Sequence, residues 1–272
     1  MLSALTLLAV SLAAPSSANA LALQSPPADA AGLVRDAITL QRRVFEDLER
    51  HCFLQRISKE RPGAESRSRR EERLEEVCFR QGTPVYKVLT INGKPTGNKA
   101  GDPFPPPANL NDWRKRVERA QERRKRDQEL LEQVMQAFRF QAVGESVLEG
   151  RPVVVVDMAP RPEFQPTSRT MEMLKHVKGR MWIDRQTHHV MMLQAVVDSD
   201  FSIWGGLVAK VYHGATFELR QKPFNGTWFP YFLDTRWEAR VALVKNIGEH
   251  ERLERSDFRR LGQAGAADAD PE

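Results

Sequence analysis

The feature that most constrains this chain is a period-two alternation of apolar and polar residues that runs from Gln141 almost to the C-terminus. Leu207, Ala209, Val211, Ala215, Phe217 and Leu219 alternate against Lys210, Tyr212, Thr216, Glu218 and Arg220. Phe229, Tyr231, Leu233, Trp237, Ala239, Val241 and Leu243 then alternate against Asp234, Arg236, Glu238 and Arg240. Side chains of a β-strand point to opposite faces in turn, so the pattern predicts a long antiparallel sheet with one apolar and one wet face. Asn225-Gly226 suits a primed hairpin turn between the last two strands. Val153 to Val156 predicts a strand buried on both faces. Met171–Asp184 and His188–Val197 are expected as a strand pair, joined by a tight turn at Asp184 to Thr187.

Two segments have helical spacing instead. Leu33, Ala37, Leu40, Val44 and Leu48, widened by Val34, Ile38 and Phe45, form an apolar stripe that begins after a capping Asp29. Such a stripe needs a sheet or another helix to cover it. A second helix is expected from Trp113 to about Phe140, capped by Asn111 or Asp112. Its ends are apolar, but Gln121 to Glu129 has no apolar residue and contains Arg123, Arg124, Lys125 and Arg126. This basic run is either a patch for phosphate or anionic headgroups, or a solvated helix face with interleaved Glu and Asp. Between the helices come two or three strands ending with Pro84–Ile91. A Gly- and Pro-rich loop, Lys94 to Asn109, follows. Glu249 to Leu261 fits either a helix or an edge strand, and 263–272 a disordered acidic tail.

Residues 1–20, MLSALTLLAVSLAAPSSANA, have an apolar run followed by small residues and match a secretory leader cleaved after Ala20, the alternative being an N-terminal anchor helix. Residues 21–29 then form a linker. Export places the chain in an oxidising space, the periplasm for a bacterial-looking leader. Cys52 and Cys78 are equidistant from residue 65, so a hairpin folded there sets them directly opposite, close to disulfide geometry. The alternative is two buried free thiols.

Among 272 residues, 41% are apolar and the net charge is +5, enough for a core and too little for a dedicated nucleic-acid binder. No phosphate-binding loop, dinucleotide fingerprint, zinc-protease or nucleophile-elbow motif is present. No catalytic group, cofactor or metal site is therefore expected. His188 and His189, adjacent on an expected strand, face opposite ways and cannot chelate together. His213 is expected on the apolar face of its strand.

The C-terminal half carries Gly150-Arg151-Pro152-Val153-Val154-Val155-Val156-Asp157-Met158 and then Gly179-Arg180-Met181-Trp182-Ile183-Asp184. Gly205-Gly206 follows, and finally Asn225-Gly226-Thr227-Trp228-Phe229-Pro230. This layout resembles the periplasmic lipoprotein-sorting carriers (the LolA/LolB-like superfamily) and the N-terminal domain of the envelope-stress regulator RseB/MucB. It does so loosely over 30–90 and better over 140–260. The resemblance implies an α+β fold: a strongly curved antiparallel β-sheet, an incomplete or half barrel, wrapped around one or two α-helices. It implies one such domain over 30–262, with the basic helix at about 109–140 as an insertion. It also implies a lipid or acylated protein as ligand, held without enzymatic chemistry in the apolar concave face.

Val211, Phe217, Phe229, Tyr231 and Trp237 are candidates for the lining, or else pack on the first helix as ordinary core. The alternative function is an RseB-like sensor or interaction module, whose basic helix or sheet rim docks an envelope protein or a membrane surface.

Overall fold

The computed structural model describes residues 29–61, 69–105, 107–168, 171–203, 209–241 and 245–261. The expected leader, most of the expected 21–29 linker, residues 62–68, Gly205-Gly206 and the expected acidic tail lie outside the described residues. The chain runs α1 (Ala30–Leu48), β1 (His51–Arg61), β2 (Arg69–Arg80), β3 (Thr83–Ile91) and β4 (Lys94–Pro95). Next come α2 (Leu110–Ala137), β5 (Phe138–Leu148), β6 (Arg151–Pro160), a 3-10 turn at Met171–His176, and β7 (Val177–Asp184). The remainder is β8 (Val190–Val197), β9 (Phe201–Ile203), β10 (Ala209–Val211), β11 (Thr216–Phe224), β12 (Thr227–Val241) and β13 (Lys245–Arg260).

All pairs are antiparallel, in the order β4-β3-β2-β1-β13-β12-β11-β8-β7-β6-β5, with β9 and β10 attached beside β12. The end strands β4 and β5 are not paired with each other, so the sheet is not closed into a barrel. Neighbouring strands of a β-sheet are on average rotated by roughly 20–25°, so a path of eleven strands is expected to turn through more than half a circle. Register shifts at Cys52/Leu54, Leu74/Glu75, Ala142/Gly144, Trp182/Ile183 and Arg220/Gln221 add local bends. The sheet curls around α1, which touches β5, β12 and β1.

The two faces separate cleanly in the ladder. Val156, Met181, Leu193, Leu219, Leu233, Leu253 and Ile57 oppose one another across seven strands on the helix side. One residue along, Asp157, Arg180, Gln194, Glu218, Asp234, Arg252, Ser58 and Glu72 form a polar row on the outer side. Arg180 pairs there with Asp157, Gln194 donates to Glu218 at 2.8 Å, and Arg252 donates to Asp234 at 3.1 Å.

Under α1, Val34 and Ala37 join Val154, Val156, Met181, Ile183 and Phe138 in the largest cluster. The C-terminal end of α1 packs Leu48 against Phe53, Val77, Phe229 and Phe258. Asp29 caps α1, its carboxylate accepting from the Gly32 N–H at 2.6 Å.

Several boundaries differ from expectation, each for a local reason. Asn109, not Asn111 or Asp112, caps α2. Its backbone is extended and its side chain accepts from the N–H groups of Asn111 and Asp112. Phe138 to Phe140 leave the helix because they pair with Pro160 to Met158 in the ladder. Met171 to His176 is a 3-10 turn, so the next strand begins only at Val177. The expected strand from Leu207 to Arg220 is broken after Val211 by a turn at Gly214, which takes φ 87. His213 therefore leaves the apolar face and lies exposed, its ring 2.8 Å from the Asp200 carboxylate. His188 and His189 sit before the strand: His188 takes φ 58 in the turn, and His189 stacks on Trp228. Glu249 to Leu261 resolves as strand, and not at an edge: β13 lies between β1 and β12.

Candidate functional site

Most of the helix-side face is filled by α1, but not all. Val211, Phe217, Leu219, Leu233 and Trp237 on β10, β11 and β12 are half-buried, and none belongs to a buried cluster. Val211 opposes Ala239, Phe217 opposes Thr235 and Leu219 opposes Leu233, which sets all five on the same face. Leu253 and Ile57 continue this strip, nearly covered. At one end Lys59 pairs with Glu251 at 3.0 Å, and Arg61 donates to Glu249 at 2.5 Å.

At the other end is a polar seam across the floor. Two residues along β13 from Leu253, the Arg255 Nε donates to Gln55 Oε1 at 3.0 Å, and its Nη1 to the Pro230 carbonyl at 3.3 Å. Gln55 Nε2 donates to Glu75 Oε1 at 2.8 Å, and Arg73 Nε lies 2.9 Å from the other Glu75 oxygen. On the far side of Arg255, Gln221 Nε2 donates to Gln41 Oε1 of α1 at 2.7 Å. Gln221, Glu75 and Gln55 are buried, at 1%, 1% and 6% exposure. Burial pushes the Glu75 carboxyl up, although Arg73 and Gln55 pull it back. Burial draws the Arg255 guanidinium down to about 10, so it is still protonated at neutral pH.

Above the seam stands the half-exposed Tyr86, opposite Val77. Burial and then Glu75 push its phenol up, against the pull of Arg123, Arg116 and Arg255. The α2 helix thus brings positive charge to the same opening. This helix touches β3 near one sheet edge and β5 at the other, and it buries only Gln133 and Ala137. The basic run is not one patch. Arg124 turns inward to Glu49 at 2.8 Å and lies against Gly82, while Arg123, Lys125 and Arg126 stay exposed.

The proposed lining residues therefore part company. Val211, Phe217 and Trp237 lie together on the strip. Phe229 is fully buried, stacked on Phe258 at 4.6 Å and covered by Leu48, and is core instead of wall. Tyr231 sits beside the register shift in β12 and turns to charged neighbours. Its hydroxyl donates to Glu149 at 2.6 Å and Lys222 lies over its ring. Burial, with Glu149, raises its phenol to about 12.

Cys52 and Cys78 are joined in a disulfide across β1 and β2, with Cα atoms 4.2 Å apart. Their neighbours Phe53 and Val77 are ladder partners, the register of a hairpin centred on residue 65. Among the described residues no group of three His, Cys, Asp or Glu is placed to hold a metal.

Sequence reasoning missed the seam. Its signal was present: Gln55 lies between Phe53 and Ile57, and Gln221 two residues after Leu219, at positions whose parity is apolar. A polar residue at such a position must find a buried partner.

The Gly179 to Asp184 motif has a structural explanation. A Cβ on Gly179 would collide with the Gln194 carbonyl and come within 2.8 Å of the Met158 methyl. The fully buried Asp184 accepts from the Thr187 N–H at 2.7 Å, the Gln186 N–H at 3.1 Å and the Thr187 hydroxyl at 2.8 Å.

Comparison with solved structures returns matches that cover most of the chain. An outer membrane lipoprotein-sorting protein domain from Vibrio parahaemolyticus matches at 10% identity and TM-score 0.32, covering 84% of this chain and 93% of its own. The chain is similar to the LolA-like proteins. A LolA superfamily protein from Nitrosomonas europaea matches at 10% identity and TM-score 0.29, covering 86% and 94%. MucB in complex with MucA matches at 14% identity and TM-score 0.23, covering 84% and 95%. The fold stands on the strand order given above. No family model and no curated protein matches the chain.

Proposed function

We propose that the chain is an exported, periplasmic, non-enzymatic carrier or binder of lipids or lipid-modified proteins, with acyl chains lying on the uncovered strip. The observation that supports this is the half-buried apolar set Val211, Phe217, Leu219, Leu233 and Trp237 on the inner side of an open, curled sheet. A face of this kind is stable in water only when small or when something covers it part of the time. Each buried CH₂ contributes about 0.8 kcal/mol, so a 16-carbon chain offers on the order of 12 kcal/mol before ordering costs remove several. Lipid transfer needs no reaction, only burial that is favourable and reversible. No helix among the described residues is long and apolar enough to cross a membrane.

The test is native mass spectrometry of protein purified from membranes, followed by titration of the delipidated protein with a fluorescent fatty acid. Co-purified acyl species and saturable uptake are expected. A clean apo mass with no uptake overturns the reading. The exposed Arg123, Lys125 and Arg126 favour a second role, docking of an acidic envelope protein or membrane surface on α2. A stoichiometric partner that survives delipidation and is lost on reversing these three charges supports it.

A further inference from the structure

Resting on that reading, we infer that Arg255 is the anchor for the anionic headgroup of the bound amphiphile, its carboxylate or phosphate meeting the guanidinium while the chain runs along Leu253, Leu233, Leu219 and Phe217.

Arg255 lies half-buried on the inner face, yet among the described residues no carboxylate is within ion-pair distance of it. Its two bonds go to neutral oxygens, those of Gln55 and Pro230, and its third contact is the face of Phe53 at 5.2 Å. The nearby Glu75 is already paired with Arg73, and Gln55 stands between it and Arg255. The seam of Arg73, Glu75 and Arg255 therefore has one positive charge to spare. Taking a charge out of water without a counter-ion is costly, so an anion brought to this guanidinium offsets part of that cost. The side chain is not sealed, since part of it stays exposed.

The surroundings fit an amphiphile better than a free ion. Strand alternation puts Leu253 next to Arg255 on the same face, and Leu253 leads across the ladder to Leu233 and Leu219. The apolar strip thus starts at the guanidinium. Arg116 and Arg123 of α2 stand near Tyr86 at the opening and add positive charge on the way in. A second polar pair at this level, Gln41 and Gln221, leaves the Gln41 amide nitrogen and the Gln221 carbonyl oxygen buried without partners.

The experiment compares cis-parinaric acid with its methyl ester on the whole mature chain, by fluorescence titration near pH 7.5. The two probes share the chain and differ in charge. We expect the acid to bind at least tenfold more tightly than the ester. Arg255→Met should remove that preference, bringing the acid-to-ester affinity ratio to about one, and Arg255→Lys should keep part of it. Equal affinities for acid and ester in the wild-type protein overturn the headgroup site and leave the carrier reading standing. If neither probe binds, both fail. Displacement of the acid by millimolar inorganic phosphate also overturns the inference, since the site would then take free anions and not the head of an amphiphile. Should Arg255→Met not fold, the acid-to-ester ratio of the wild-type protein decides the matter alone.

Discussion

Arg151 Nε donates to Asp184 Oδ2 at 2.6 Å, tying the start of β6 to the turn that follows β7. Asp184 is fully buried and its other oxygen takes three bonds from Gln186 and Thr187. Burial alone would push this carboxyl up, but Arg151 and Thr187 together hold it below the ordinary range. A depressed pKa stabilises the fold above the unfolded value of about 4, and that contribution is lost as pH falls through the folded value. Asp184→Asn is expected to cost about 1–3 kcal/mol at pH 7. Urea unfolding of both proteins from pH 7 to pH 3 should show the gap closing in acid. A gap independent of pH would contradict the assignment.

Gly179 has no room for a side chain, because the obstacle is the backbone carbonyl of Gln194, which cannot rotate away. Gly179→Ala should lower stability by about 1–3 kcal/mol, read as a drop in Tm. Gly93→Ala meets no neighbouring atom, so only its positive φ, 75, should cost it, by about 1 kcal/mol.

The Cys52–Cys78 bridge spans 26 positions of sequence, for which loop-closure entropy predicts about 3–4 kcal/mol. Cys52→Ser/Cys78→Ser, or the wild-type protein in reductant, should lose that much in urea unfolding. Reductant should leave the double variant unchanged.

Glu76, at 2% exposure, is bound by Lys87 at 2.7 Å, by Arg259 and by the Gly101 N–H at 3.1 Å. Burial opposes ionisation here, yet the donors win and hold the carboxyl low. Glu76→Gln leaves Lys87 buried without its counter-charge and should cost about 3–5 kcal/mol. Hydrogen exchange at Gly101 should accelerate together with the global change in stability.

Leu233→Lys places a charge in the middle of the uncovered strip. Affinity for a fluorescent fatty acid should fall at least tenfold. The Tm should shift by only a few degrees, because the site is half-exposed. Unchanged affinity would remove the strip from the binding site.

The sequence by itself determined the local structure: alternation set the strands of the C-terminal half, the Val34–Leu48 stripe set α1, and Asn225-Gly226 set its hairpin, with φ 48 and 79. These depend on neighbours in the chain, through side-chain direction and turn sterics. The Cys52–Cys78 register was legible for the same reason, since a hairpin is symmetric about its turn. Only the tertiary structure decided the rest. Glu249 to Leu261 has no clear periodicity, and it became a central strand because β1 and β12 each offered an unpaired edge. Phe229 and Trp237 look equivalent in the alternation, yet α1 ends over the first and leaves the second half-buried. The seam of Arg255, Gln55 and Glu75 joins the β1–β2 hairpin to β13, with Arg255 lying 200 residues beyond Gln55. Whether a charge is buried beside an ion partner or beside none depends on which strands meet, and period two carries no record of that.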